Sequence, residues 1–407
     1  MGKRAKDIKE KFDMQDIVVV GSGFSGSILA RRIAEELGQE VLVVEKRSHI
    51  AGNMYDEIDE NGILVQKYGP HYLNTNKYFI IEYLMKYSEL FKHSVKMYSY
   101  IDNNYVRLPF NFETVQQLVG SKKAESLLEK LRSSFSGRDR VPVLELVNHT
   151  DSDIKAYGEL LFEKAYKTYT SKQWGIGVDK IDKYVLDRVP MAMNYDERYL
   201  NKDFQYLPNE GFTKLFEKML DHPNIEIQLN TDALEHIEFD EDKAKIKYQG
   251  HEIKCLIYTG AIDELFGLKY GDLPYRSLDI QYEYLQVDSI LPAEIVSYPQ
   301  AKGYTRKTEY KKLMLDNSKV KGSVVATEYP LQYDRNAERG NTPYYPVVTE
   351  ESKQIYSKYI EEVKKYNNIF LCGRLAEFKY YNMDICIEHA LEYFNDIKKY
   401  LEQQNAI

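Results

Sequence analysis

The stretch VVVGSGFSG constrains this chain more than any other, because Gly21, Gly23 and Gly26 stand between a continuous apolar run and a segment of helical spacing. Asp16–Val20 reads as a buried strand. Phe24–Leu37 keeps Ile28, Leu29, Ile33 and Leu37 at helical spacing, and Glu40–Glu45 returns to strand. The order is that of a βαβ unit. Glycines in a GxGxxG arrangement permit the tight turn and let backbone N–H groups approach a pyrophosphate at the positive end of the helix. Glu45 closes the second strand about 20 residues further on, where a carboxylate accepts from ribose hydroxyls. A glycine turn that only packed helix on strand would have no use for that acid, so the combination predicts a dinucleotide site. In KRSHIAGN, Gly52 again allows close backbone approach to a ligand, and Lys46 and Asn53 join the candidate cofactor-binding residues. An acidic strand end followed by a small residue and glycine is more usual of FAD than of NAD folds, and the buried strand NIFLCG at Asn368–Gly373 is where such folds return to the flavin.

With 407 residues, 43% of them hydrophobic, the chain can bury a core of enzyme size. A net charge of −8, from 55 Lys+Arg against 63 Asp+Glu, excludes the global basic field that holds nucleic acid, so an anionic ligand must be met by a local cluster. Cys255, Cys372 and Cys386 are odd in number and lack a CxxC spacing, which argues against a disulfide framework or a zinc site and for a reducing, cytoplasmic setting; no bound metal is expected. MGKRAKDIKEKFDM is charged without an apolar core, and no apolar run approaches the ~18 residues of a membrane span. Tyrosine, at 36 residues against 16 Phe, suits sites that both stack and donate hydrogen bonds. From about Tyr78 to Leu186 the apolar spacing is mostly helical, broken by the turn-rich pieces DNNY, GRDRVP and HTDSD. Between about Gln205 and Val325, short alternating runs such as IEIQL, AKIKY, IQYEYLQV and GSVVAT predict a sheet.

The motifs VVVGSGFSG, VVEKRSHIAGN, KYGPH, LPFNFET, YTSKQWG, DRVP, YRSL, GYTR, TEYPL, PYYPV and GRLAEFKYYNMD occur in the order and at the spacing of UDP-galactopyranose mutases, and the chain resembles that family over nearly its whole length after the first 15 residues. The resemblance implies an α/β fold: an FAD-binding Rossmann-like domain (residues 1–77, 205–270 and 343–407), an inserted helical bundle (78–195) with a mobile substrate loop, and a twisted antiparallel β-sheet domain (196–204 and 271–342). It implies interconversion of the pyranose and furanose forms of a nucleotide-linked hexose, through attack of reduced FAD N5 on the anomeric carbon and without net redox change. The protein's task is then to hold a diphosphate leaving group, which calls for arginines and phenolic donors. By match to the family, Arg188 and Arg306 clamp the diphosphate with Tyr199, Tyr345 and Tyr380, while Tyr166, Tyr169 and Trp174 line the nucleobase pocket. Arg276 and Arg374 lie near flavin and sugar, Met383 joins the cofactor set, Glu328 is a nearby carboxylate, and His71 orients or senses the flavin. NAD(P)H or another reductant would activate the enzyme. A homodimer is the expected assembly.

Departures fall on the sugar side. Pro70 replaces an alanine, Asn74 a second histidine, Val95 an asparagine of the sugar pocket, Asn382 an aspartate, Ala192 an arginine, and Ser297 an asparagine near the uracil. Valine removes both donor and acceptor, and an amide cannot titrate as an imidazole does. These changes point to a related sugar, such as a 6-deoxyhexose of the dTDP-fucopyranose type. Two other readings are weaker. A flavin oxidoreductase of the amine-oxidase type has no task for the arginine and tyrosine set, and a non-catalytic nucleotide binder has no reason to keep both diphosphate arginines.

Overall fold

The computed structural model describes residues 16–175, 177 and 189–405. Ile17–Val20, four apolar residues, forms the middle strand of a five-stranded parallel sheet in the order Ile225–Gln228, Val41–Val44, Ile17–Val20, Cys255–Tyr258, Ile369–Leu371. Such a strand is covered on both faces, which is why it reads as a continuous run instead of alternating. Helix Phe24–Leu37 lays Ile28, Leu29 and Ile33 on the sheet and ends where Gly38 takes the left-handed conformation at φ +65°. Beside it lie helices Phe212–Leu220 and Met383–Asn405. Asp56 fixes the first of these by accepting from the N–H groups of Phe212 and Thr213 at 2.7 and 2.8 Å, satisfying donors that a helix start leaves open.

A second, seven-stranded sheet runs in the order Tyr345–Pro346, Tyr275–Leu285, Ser323–Gln332, Arg306–Glu309, Ile295–Ser297, Met97–Ile101, Asn104–Leu108. It departs from three expectations. The sheet is not wholly antiparallel, since Ile295–Ser297 and Met97–Ile101 pair in parallel. Nor is 78–195 wholly helical: residues 97–108 form a hairpin whose turn places Asp102 and Asn103 at φ +49° and +64°, two consecutive positive values of the kind that match strand twist. The DNNY piece is thus a hairpin turn, not a break between helices. Tyr345–Pro346, expected in the cofactor domain, also belongs to this sheet. The runs between 205 and 325 are strands but serve different sheets: IEIQ and CLIY enter the parallel sheet, whereas KIKY lies in a three-stranded meander. No helix among the described residues is long and apolar enough to cross a membrane.

Candidate active site

A cleft of about 1000 Å³ separates the parallel sheet from the seven-stranded one and carries the glycine turn on one wall. Close approach builds that turn. A Cβ on Gly26 would stand 2.0 Å from the Gly21 carbonyl oxygen, and one on Gly21, at φ +97°, would stand 2.2 Å from Thr259 Oγ1. Around Gly23 the space is open, so its backbone faces the cleft unobstructed. Gly52, at φ +54°, brings its loop so near that a Cβ would be 3.0 Å from Gly23 Cα. Glu45 is buried beneath the turn and accepts from Ser22 N at 3.1 Å, Ser22 Oγ at 2.8 Å and Arg47 N at 3.1 Å. Arg47 in turn donates to Asn53 Oδ1 at 2.9 Å and lies over the Tyr68 ring. Lys46 lines the cleft beside them.

Strand register builds the opposite wall. Residues paired across neighbouring strands point to the same face, and one such row runs Ser99, Ser297, Arg306, Glu328, Ile280. Ser99, Ser297 and Arg306 therefore reach the cleft together. Arg306 Nε lies 2.6 Å from Glu328 Oε1 as an ion pair, yet neither that nitrogen nor either carboxylate oxygen has an aligned hydrogen-bond partner among the described residues. Burial opposes the guanidinium charge, and Glu328, Tyr169 and Tyr345 more than offset it, holding the Arg306 pKa above its ordinary value. Arg374 lies 5.1 Å from the Tyr345 ring centroid and 5.8 Å from that of Tyr380, which stacks on Tyr345 at 5.4 Å and meets Trp174 at 5.8 Å. The result is a local cationic, phenol-rich surface in an acidic protein.

The third side comes from one long helical run. Helix Ser152–Leu161 passes through a π-helical turn, Phe162–Tyr166, into helix Lys167–Trp174. The wider turn shifts the register of the second helix against the first, and Tyr166, Tyr169, Gln173 and Trp174 face the cleft. Lys172 locks the end of the run: its ammonium donates to the carbonyls of Tyr298, Ala301 and Tyr304 at 2.7, 2.8 and 2.9 Å. Arg276 donates to the Gln173 and Lys172 carbonyls at 2.8 and 3.3 Å, so its guanidinium caps this helix while it also borders the cleft. Gly175 closes the helix in the left-handed conformation at φ +68°, a backbone that side chains rarely adopt, against the Arg276 guanidinium.

His71 enters from the cofactor side. Its backbone is clamped by Gln66, whose Oε1 accepts from His71 N at 2.5 Å and whose Nε2 donates to His71 O at 2.9 Å. Burial, with Arg374 and Arg306 nearby, pushes the imidazole pKa down to about 3, so the ring is neutral. Its Nδ1 and the Oδ1 of Asn74 are buried without partners among the described residues. Orphaned polar atoms beside a glycine cradle fit a cofactor with hydrogen-bonding edges.

The cleft thus gathers Tyr199, Asn382 and Met383 with the residues above. Others do not reach it. Val95 is packed in the hydrophobic core, with its carbonyl accepting from Tyr199 N, so it offers no surface to a sugar. Glu328 touches the cleft only through Arg306, and Ala192 is buried away from it. Arg188 lies outside the described residues. Sequence reasoning missed Arg140, a half-buried arginine on the cleft near Tyr166, because GRDRVP carried only a turn signal. It also missed Lys172 as an anchor, which no local pattern announces.

A Rossmann-type cofactor turn that faces a cationic, phenol-rich wall across one cleft defines a dinucleotide-dependent enzyme acting on an anionic substrate. The chain belongs to the UDP-galactopyranose mutase family, whose sequence profile it matches over residues 164–380, with an NAD(P)-binding Rossmann-like profile over 19–87. It is 33% identical over 381 residues to the dTDP-fucopyranose mutase of Escherichia coli, covering 93% of this chain and 97% of that one. It is 31% identical over 379 residues to the UDP-galactopyranose mutase of Mycoplasma pneumoniae, covering 92% and 94%. Its fold is similar to that of a reduced UDP-galactopyranose mutase, with a TM-score of 0.68 over 95% of this chain and 94% of that one at 14% identity. Membership makes the protein an isomerase of the mutase type.

Proposed function

We propose that the protein interconverts the pyranose and furanose forms of a nucleotide-linked hexose, with FAD held non-covalently and active when reduced. The observation that carries this reading is Arg306, kept charged at the cleft among Tyr169 and Tyr345 and facing the glycine turn. Reduced FAD, when bound, supplies the nucleophile for the anomeric carbon. The chain's own residues do the rest. Gly21, Gly23, Gly26 and Glu45 hold the cofactor's pyrophosphate and ribose, with Lys46, Gly52, Asn53 and Met383 around it. Arg306, with Tyr199, Tyr345 and Tyr380, binds the diphosphate as it departs and returns it, and Arg188 is the second clamp. Tyr166, Tyr169 and Trp174 enclose the base, Arg276 holds the helix that presents them, Glu328 orients Arg306, and neutral His71 turns Nδ1 to the cofactor. NAD(P)H or another reductant primes the enzyme, which acts in the cytoplasm, as a homodimer.

The substrate is a UDP-galactopyranose or a 6-deoxy relative of the dTDP-fucopyranose type. The second option is favoured by Asn74 and Asn382, whose amides border the cleft where the family carries titratable side chains. Val95 no longer contributes to it. Photoreduced protein should convert one of UDP-galactopyranose and dTDP-fucopyranose to its furanose form, read by chromatography of the nucleotide sugars. Furanose from neither would overturn the mutase reading, and reduction of oxidised flavin by an amine would revive the oxidase one.

A further inference from the structure

Outside the cleft, one cluster has no task in the mutase chemistry. Cys372 follows strand Ile369–Leu371, Glu377 lies in the next turn, and His389 stands about two turns into helix Met383–Asn405. Cys372 Sγ is 3.7 Å from His389 Nδ1, Glu377 Oε2 is 3.2 Å from that same nitrogen, and the three donor atoms lie within 4.8 Å of one another. We propose that Cys372, Glu377 and His389 bind one Zn²⁺ ion, which pins the strand end carrying Gly373 and Arg374 to the Met383–Asn405 helix.

The geometry separates this from a nucleophile relay. In a relay the imidazole bridges its two partners through opposite ring nitrogens. Here sulfur and carboxylate both meet Nδ1, and a single proton on that nitrogen serves only one of them. A cation at the point of convergence satisfies all three. Zinc bonds of about 2.0–2.3 Å at tetrahedral angles put neighbouring N and O ligands about 3.3 Å apart and S and N about 3.6 Å apart, close to the spacings here. Glu377 is already oriented as ligating carboxylates are: Gly373 N donates to Oε2 at 2.9 Å and Tyr381 OH to Oε1 at 3.0 Å. Cys372 is fully buried, while the His389 side chain is 31% exposed, so the cluster lies within reach of solvent on the histidine side.

Without the ion, burial and the neighbouring Glu377 keep the Cys372 thiol protonated. Binding forms Zn–S, Zn–N and Zn–O bonds, and the thiol proton leaves to solvent as the thiolate binds.

Equilibrium dialysis of the intact flavoprotein against Zn²⁺, with metal analysis, tests the site. One equivalent should be retained, Cys372→Ser and His389→Ala should each weaken retention at least tenfold, and Cys386→Ser should leave it unchanged. Calorimetric titration of the wild type with Zn²⁺ reads the stoichiometry directly and needs no variant to fold. Absence of retained zinc in the wild type, retention unaffected by both substitutions, or dependence on Cys386 instead of Cys372 would each overturn the proposal.

Discussion

The two walls of the cleft are built on opposite plans. The glycine turn, its acid and the covering loop come from one stretch, residues 17–53, and there Glu45 takes three donors and Arg47 holds Asn53. The facing wall is assembled from segments hundreds of residues apart, and among the described residues it leaves Arg306 Nε and both Glu328 oxygens without aligned partners, to which the His71 segment adds His71 Nδ1 and Asn74 Oδ1 from the cofactor side. Buried polar atoms are normally paired, so a concentration of open ones marks where a ligand completes the set. One wall specifies a backbone shape; the other stores unmet electrostatic demand.

The largest break in that contrast should come from the backbone wall. Gly26→Val drives a side chain onto the Gly21 carbonyl, where nothing flexible can yield, and purified protein should carry no flavin absorbance. Gly23→Ala meets only open space, so it should keep the wild-type melting temperature while weakening FAD binding about tenfold, roughly the 1.4 kcal/mol of a crowded phosphate contact. Equal loss of fold in both variants would erase the distinction between packing and ligand-facing glycines.

Arg306→Ala comes next. It strands the buried Glu328 carboxylate and should cost about 3–5 kcal/mol of stability in denaturant melts, and with reduced enzyme at least ~2 kcal/mol in kcat/KM. Adding Glu328→Gln should return much of the stability and none of the rate. Recovery of the rate would show that the arginine only neutralises its partner.

His71 offers a smaller, pH-dependent effect. Its native pKa of about 3 lies below the ordinary 6.5, so between those values the unfolded chain binds the extra proton. The contribution is fully present above pH 6.5 and is lost as pH falls towards 3. Stability of wild type minus His71→Gln should slope by up to about 1.4 kcal/mol per pH unit in that window. A flat difference would mean the imidazole titrates normally. The smallest effect belongs to Val95→Thr, which puts a hydroxyl into the core and should cost about 1 kcal/mol while leaving the ratio of kcat/KM for the two sugar nucleotides unchanged. A changed ratio would return Val95 to the sugar pocket.

By itself the sequence determined the features that short-range geometry encodes. The strand, glycine turn, helix and acid of residues 17–45 are legible because backbone sterics act within a few residues, and the ordered motifs carried the family. Tertiary structure alone decided the rest. Alternation marks 225–228, 245–248 and 323–332 as strands, but hydrogen bonding between distant segments assigned them to three different sheets. Register across those strands set Arg306 against Glu328, and a π-helical turn aimed Tyr166 and Tyr169. Val95 went to the core while Ser99, four residues on, reached the cleft. Side-chain direction and long-range pairing depend on which surfaces are buried together, and no local spacing contains that information.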